Sequence, residues 1–293
     1  NGRVKTHFTQ FQEEFARQPG ARWIFKPASR AQGKGISLLT RLSQVRALPM
    51  TIAHLRNAPG AANEHFVACR YIEQPLLIGE RKFDLRLYVL VTGYRPLVVW
   101  RYAEGFARFC LEEYAARPGA DPNTALFAHL TNVAFQKQNA DYDERHGGKW
   151  PFSSLLAWLE ARHGAETVAR LRREIDCIFL KSLRAVQPLI IDCPQAFELY
   201  GFDVLLDCRL KPWLIEINAS PSLLTTTAAD RRLKTALIDD LMGVVALRWA
   251  GETAPPARVG RFELLYAQRE GEERRPRSVA RREPARAAFP RYW

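Results

Sequence analysis

Two carboxylates and an amide, Asp203, Glu216 and Asn218, sit in a stretch whose neighbours are mostly apolar: FELYGFDVLLDCRLKPWLIEINASPSL, residues 197–223. The stretch reads as a strand, a polar turn near Cys208 and Arg209, and a second strand, with Gly and Pro at its edges. Side chains alternate faces along a strand, so Glu216 and Asn218 point one way and Ile215 and Ile217 the other. A tight hairpin around residues 209 and 210 sets Asp203 opposite Glu216. Acids gathered in this way repel one another and are costly to bury unpaired. A hard cation resolves the conflict: Mg²⁺ takes oxygen ligands, keeps some waters and is usually completed by substrate phosphates. The plain alternative is a solvated face of an edge hairpin. Placement inside apolar strands favours the metal.

Further stretches put charge where a phosphate or carboxylate could be held. In WIFKPASRAQGKGISLL, residues 23–39, Trp23 to Phe25 and Ile36 to Leu39 read as short strands around a basic loop. Gly33 and Gly35 let the backbone approach a ligand closely, and Lys26, Arg30 and Lys34 supply charge. The P-loop pattern is missing, and a plain hairpin turn would read the same way. In RKFDLRLYVLVT, residues 81–92, Phe83, Leu85, Leu87, Val89 and Val91 share one face of a long strand. Lys82, Asp84, Arg86 and Tyr88 share the other, which lines either solvent or a polar site, or forms a structural ion-pair ladder. Arg108 near a strand end reads as a surface charge. Thr131 and Asn132 offer short polar groups for a ligand or a local cap. Lys149 follows Gly147 and Gly148.

The elements that must position these groups follow from periodicity. Leu42 to Asn57 reads as a helix that Pro49 would break or shift. FVACRYIEQPLLIG is an apolar strand running into a segment that ends at Pro75, and LVVWRYAEGFARF is a hairpin through Glu104 and Gly105. Residues 151–190 are helical. A first helix is capped by Ser153 or Ser154 and ends near Gly164. A second runs to about Gln187 with a core-facing stripe of Val168, Leu171, Ile175, Ile178 and Val186, with Phe179 and Leu183. Asp230 starts a third, with Leu233, Leu237, Leu241, Val244 and Val245 turned inward. RFELLYAQ could add one short strand or a docking segment, and residues 1–20 show a weak helical pattern in Phe8, Phe11 and Phe15.

A chain of 293 residues that is 47% hydrophobic has material for one or two domains. No run approaches the length needed to span a bilayer, and no secretory signal opens the chain. Its first residue is Asn1 rather than Met, so it reads as a piece of something longer. Five scattered cysteines suit reduced, buried thiols in a cytosolic protein better than a disulfide frame or a zinc site. The net charge of +12 steers acidic partners. RNA-recognition aromatics and a C₂H₂ pattern are missing, which makes nucleic acid a weak reading of that charge. Gly271 to Trp293 is rich in arginine and poor in aliphatics, so it should be disordered alone.

Together WIFKP, QGKGI, RKFDLR, HLTN, GGKW, FELYGFD and KPWLIEINASPSL resemble the motifs of the tubulin–tyrosine-ligase-like family, within the ATP-grasp ligases, over about residues 21–250. The details lean toward its short polyglutamylase members. The resemblance implies an α+β ATP-grasp fold with nucleotide between two sheet-bearing lobes, the first truncated at the N-terminus. Residues 1–20 would be a remnant of an N-terminal region, 21–75 the central lobe, 76–250 the C-terminal lobe with the metal hairpin, and 251–293 a basic, largely disordered tail.

The family's ATP contacts fall on Lys26, Gln32, Gly33 and Lys34, on a hinge of Cys69, Arg70, Tyr71 and Ile72 that holds adenine through backbone groups, and on Lys82, Phe83, Asp84, Thr131 and Asn132. By the same resemblance Arg86 stabilises the transferred phosphoryl group, and Asp203, Glu216 and Asn218 hold Mg²⁺. Arg108 and Lys149 match residues that hold the amino acid, and two cations suit a dicarboxylate, which favours glutamate over tyrosine or glycine. The implied activity is polyglutamylation of the acidic C-terminal tails of tubulin through an acyl phosphate. The implied partners are tubulin, free L-glutamate and accessory subunits, with no nucleic acid and no membrane. The implied location is cytoplasmic and cytoskeletal, extending to cilium, axoneme or basal body. The alternatives are a non-catalytic microtubule- or complex-binding subunit and a glycine or tyrosine ligase of the same family.

Overall fold

The computed structural model describes residues 2–28, 30, 33–44, 65–114, 126–139, 148–191, 193, 195–251 and 254–268, with residues 2–8 described by backbone alone. In chain order the elements are α1 (Gly2–Arg17), β1 (Trp23–Pro27), β2 (Ser37–Leu39), β3 (Phe66–Arg70), β4 (Leu77–Ile78), β5 (Arg81–Tyr94), β6 (Leu97–Phe109), α2 (Val133–Gln136), β7 (Lys149–Pro151), α3 (Phe152–His163), α4 (Ala165–Val186), β8 (Glu198–Leu206), β9 (Pro212–Asn218), α5 (Ala228–Trp249), β10 (Arg258–Val259) and β11 (Phe262–Ala267). No helix among the described residues is long and apolar enough to cross a membrane.

Helices and antiparallel sheets combine as an α+β fold. A small sheet runs β2-β1-β3, and a large one runs β10-β11-β6-β5-β8-β9, with β4 on β5 and β7 on β6. On one face of the small sheet, Phe11 and Phe15 of α1 pack edge-on and stacked against Trp23 and Phe25. On the other, Ile24 and Tyr71 meet Leu130, which joins the segment before α2 to this sheet.

The alternation of β5 builds the rest. Phe83, Leu85, Leu87, Val89 and Val91 enter the main core with α3 and the Val168, Leu171, Ile175, Phe179 and Leu183 stripe of α4. The opposite face has two parts. Tyr88 and Leu90 are covered by Leu237, Leu241, Val244 and Val245 of α5. Lys82, Asp84 and Arg86, nearer the start of the strand, are left for polar partners. Lys82 and Asp84 are buried, so this end of the strand lines a site rather than open solvent.

Several expectations are corrected. LVVWRYAEGFARF does not turn at Glu104 and Gly105: β6 is one strand paired along β5, and an irregularity lets Ala103 N–H bond the Arg261 carbonyl instead. A methyl on Gly105 would lie 2.4 Å from the Arg86 carbonyl oxygen, so the glycine serves close strand approach and not a turn. Helix α3 begins at Phe152, after Pro151, with no side-chain cap from Ser153 or Ser154. RFELLYAQ does supply a strand, β11, which with β10 forms the edge of the large sheet inside the span assigned to the tail. Val186, expected in the core-facing stripe of α4, is exposed, and so are Cys177, Cys193 and Cys208, expected to be buried. Gln32, the predicted helix from residue 45 onward, and the tail beyond residue 268 lie outside the described residues.

Candidate active site

Strands β8 and β9 form the predicted hairpin, with a register that changes partway. Next to the turn Leu206 pairs with Pro212, Leu205 with Trp213 and Val204 with Leu214; beyond an irregularity Asp203 pairs with Glu216, Phe202 with Ile217 and Gly201 with Asn218. Ile215 is the extra residue of a β-bulge. The turn is closed by Asp207, whose carboxylate accepts from Arg209 N (2.9 Å), Lys211 N (3.0 Å) and Trp213 Nε1 (3.0 Å). A one-residue slip flips every side chain to the other face. Without the bulge, the turn-side register would carry Ile215 opposite Asp203 and send Glu216 and Asn218 to the core side with Leu214 and Val204. The bulge keeps Leu214 against the core and gives the two polar residues to the site.

Across the sheet the side chains of this face make two rows. Glu216, Asp203, Arg86 and Phe106 align over β9, β8, β5 and β6; Asp84, Arg108 and Lys149 align over β5, β6 and β7. Arg86 donates to Asp203 from Nε (2.5 Å) and Nη2 (3.1 Å). Arg108 grips Asp84 through Nε (2.7 Å) and Nη2 (2.6 Å), and its Nη2 lies 2.7 Å from Asp203 Oδ2. Burial alone would raise the Asp203 carboxyl, but Arg108 and Arg86 hold it below its ordinary range. Glu216 goes the other way: desolvation at the cleft wall, then neighbouring Asp203, push its carboxyl up. Among the described residues it makes no ion pair. Asn218 donates its amide nitrogen to the Gly201 carbonyl (3.3 Å) and to Glu216 Oε1 (3.2 Å). Hard oxygen donors with surplus negative charge at Glu216 suit a cation such as Mg²⁺.

Lys149 stands opposite Arg108, as a shared subsite requires, but each is already engaged by acids. The Lys149 ammonium lies 2.7 Å from Asp230 Oδ2 in the first turn of α5 and 5.0 Å from the centre of the Phe106 ring.

Between the sheets runs a cleft of about 3020 Å³, lined by Lys26, Gly33, Lys34, Cys69, Arg70, Tyr71, Ile72, Lys82, Asp84, Arg108, Thr131, Asn132, Asp203 and Glu216. That volume exceeds what one small ligand fills, leaving room for a second reactant. Arg86, Lys149 and Asn218 are not in its lining; they belong to the same sheet face, beside it. Phe83 is placed otherwise: its ring is 1% exposed in the main core, on the face away from Lys82 and Asp84. Asn132 acts as a cap, its Oδ1 accepting from Ala134 N at 3.0 Å.

His129, which begins the HLTN motif, carries no signal of its own in the sequence. Its Nδ1 lies 2.9 Å from the Tyr71 hydroxyl, and the Lys82 ammonium donates to that hydroxyl (3.0 Å) and to the His129 carbonyl (2.8 Å). Burial pushes the Lys82 ammonium down to about 8 and, with Lys82 nearby, His129 to about 4. At neutral pH the imidazole is therefore neutral and the ammonium charged. Asp230 and Lys234 are also joined to this side of the fold; the only sequence signal for Asp230 was its place as a helix start.

The profile of the tubulin-tyrosine ligase family matches residues 3–251. "Probable alpha-tubulin polyglutamylase Ttll1" of Tetrahymena thermophila is 45% identical over 267 residues, covering 88% of this chain and 64% of that protein. "Probable tubulin polyglutamylase TTLL9" of Bos taurus is 41% identical over 282 residues, covering 87% of this chain and 60% of its own length. "Tubulin polyglutamylase TTLL5" of Homo sapiens is 34% identical over 287 residues, covering 93% of this chain and 21% of its own length. The chain thus spans less than two thirds of each of these relatives, while the family profile covers most of the chain itself. It belongs to the tubulin-tyrosine ligase family.

Proposed function

We propose that this chain carries the catalytic part of an ATP-dependent carboxylate–amine ligase, of ATP-grasp architecture, that adds glutamate to side-chain carboxylates in the acidic C-terminal tails of tubulin. The observation that carries the reading is the row Glu216–Asp203–Arg86 beside the Asp84–Arg108 pair, at the wall of a cleft with room for two reactants. The names of the similar proteins and the net charge of +12, which favours an acidic acceptor, support the choice of tubulin.

A carboxylate is a poor electrophile at neutral pH. In the proposed reaction an acceptor carboxylate oxygen attacks the γ-phosphorus of ATP, ADP departs, and the acyl phosphate is then attacked by the α-amine of glutamate. The amine loses a proton, the carbon–oxygen bond to phosphate breaks, and an isopeptide bond remains. Asp203, Glu216 and Asn218 would hold Mg²⁺, which when bound offsets the charge of the phosphates. Lys26, Lys34 and Lys82 would bind nucleotide through charge, with the backbone of Cys69 to Ile72 along adenine. Arg86 would stabilise charge on the moving phosphoryl group. Arg108 and Lys149 would orient the glutamate carboxylates. No nucleophilic side chain is required. The proposed site of action is the cytoskeleton, including cilium, axoneme or basal body.

The test is an ATP-dependent ligation assay on tubulin with labelled glutamate, glycine and tyrosine, comparing wild type with Glu216→Gln. Glutamate incorporation that disappears in the variant supports both the substrate and the metal site. Incorporation of another amino acid, or microtubule binding with no turnover, overturns the reading.

A further inference from the structure

Asp230 Oδ2 receives three donors: the Lys149 ammonium (2.7 Å), Thr226 Oγ1 (2.7 Å) and Thr226 N (3.1 Å). The backbone of Asp230 is itself fixed, because Thr227 Oγ1 caps its N–H at 3.0 Å. One helical turn later on α5, the Lys234 ammonium donates to the Leu224 carbonyl. Asp230 is 4% and Lys234 7% exposed. The loop between the end of β9 and α5 is thus tied at two points to α5, and through Asp230 to β7.

A lysine stem is flexible, and an ammonium is a point charge with no geometry of its own. Lys149 lies on a strand of three residues that, among the described residues, pairs with β6 alone. Something must therefore fix where its charge lies, and Asp230 is the group that reaches it. The local charge does not cancel: Lys149 and Lys234 bring two positive charges and Asp230 one negative. Arg108, opposite Lys149, is meanwhile shared between Asp84 and Asp203. A buried surplus of one positive charge on the site face favours an anion.

We infer that Asp230 is a positioning residue that holds the Lys149 ammonium in place for a carboxylate of the incoming amino acid. This rests on the ligase reading above but not on the identity of the amino acid.

The test uses the full-length protein with glutamate, glycine and tyrosine as substrates, in wild type, Asp230→Asn, Lys149→Met and the double variant. Asparagine keeps an oxygen for the Thr226 donors and removes the charge. For whichever amino acid the wild type takes, Asp230→Asn is expected to raise its KM about tenfold while the KM for ATP changes less than about twofold. The double variant should be no worse than Lys149→Met alone. Thr226→Val, which removes one donor and keeps the charge, should move the amino-acid KM in the same direction by less. If both KM values rise together, or the two single effects multiply in the double variant, Asp230 is merely structural and the inference fails. If the wild type takes glycine or tyrosine, the polyglutamylation reading falls while the same KM ratio still decides Asp230. If the wild type takes none of the three, both fall.

Discussion

Asp203 faces Glu216 across β8 and β9, yet the two carboxylates keep opposite electrostatic company. Asp203 is held by Arg86 and Arg108, while Glu216 has Asn218 and the repulsion of Asp203 itself. The same chemical change should therefore have opposite consequences at the two positions. Asp203→Asn strands the Arg86 guanidinium and takes from Arg108 one of its two acids, and is expected to cost about 3–5 kcal/mol. Glu216→Gln removes a charge that repels its neighbour and should leave the metal-free protein as stable or more so. Acid acts in the same sense. The stability from Asp203 is present above the ordinary carboxylate range and is lost as pH falls through its depressed value. Glu216, raised, costs stability above its own titration, and protonation relieves that cost. Denaturant unfolding at pH 7 without divalent cation checks the pair; equal destabilisation by both substitutions would sink the account.

A second expectation concerns Lys82, buried against Tyr71 and His129 with its ammonium pushed down to about 8. Nucleotide affinity should fall about tenfold between pH 7 and pH 9.5 as this charge is lost, one factor of ten being about 1.4 kcal/mol. Lys82→Arg, which stays charged, should flatten the profile. Stability moves the other way: the folded-state value lies below the unfolded one, so the cost of burying the charge is present below pH 8 and fades as pH rises above it. Nucleotide titrations across this range decide the point. A wild-type profile as flat as that of Lys82→Arg would remove Lys82 from nucleotide binding.

The site face was legible in the sequence where one strand carried it. Lys82, Asp84 and Arg86 alternate with Phe83, Leu85 and Leu87, and period-two reading separated them correctly. The same reading set Asp203 opposite Glu216 from a hairpin centred on residues 209 and 210. The pair is right, but the turn lies half a residue earlier and the bulge at Ile215 makes up the difference. A bulge leaves no mark in an alternating apolar strand, so it could not be read. Which acid a cation meets was equally hidden. Asp84 with Arg108 and Lys149 with Asp230 join residues 24 and 81 positions apart, brought together by register and by helix docking.

Deleting Ile215 would bring Leu214 and Glu216 into direct succession, opposite Val204 and Asp203 in a regular ladder. The deletion variant is expected to fold, at a cost of about 1–2 kcal/mol for the lost apolar side chain. It should also retain the Mg²⁺-dependent rise in melting temperature expected of the wild type. Ile215 lines the cleft, so nucleotide affinity should suffer more than the metal response. A folded deletion variant with no metal response would mean that Glu216 no longer faces Asp203.

Gly201 lies under the Arg86 side chain. A methyl built there would stand 2.9 Å from Pro221 Cβ, 3.1 Å from Arg86 Cδ and 3.4 Å from Arg86 Nε. The arginine crosses this glycine to reach Asp203, and the proline holds the other side, so neither neighbour can yield without moving part of the site. Gly201→Ala is expected to cost about 1–3 kcal/mol, as overpacking does. Its effect on activity should be larger than the unfolded fraction explains, with kcat/KM falling at least about tenfold at temperatures where the variant is fully folded. The two effects share one side chain. In an Arg86→Ala background the methyl meets no arginine, and the added stability cost of Gly201→Ala should shrink, leaving only the contact with Pro221. Unfolding curves for the four proteins of this cycle and kinetics for the two that retain Arg86 separate the possibilities. A Gly201→Ala protein of lowered stability with unchanged kcat/KM would show that the path of Arg86 over this glycine matters to packing alone.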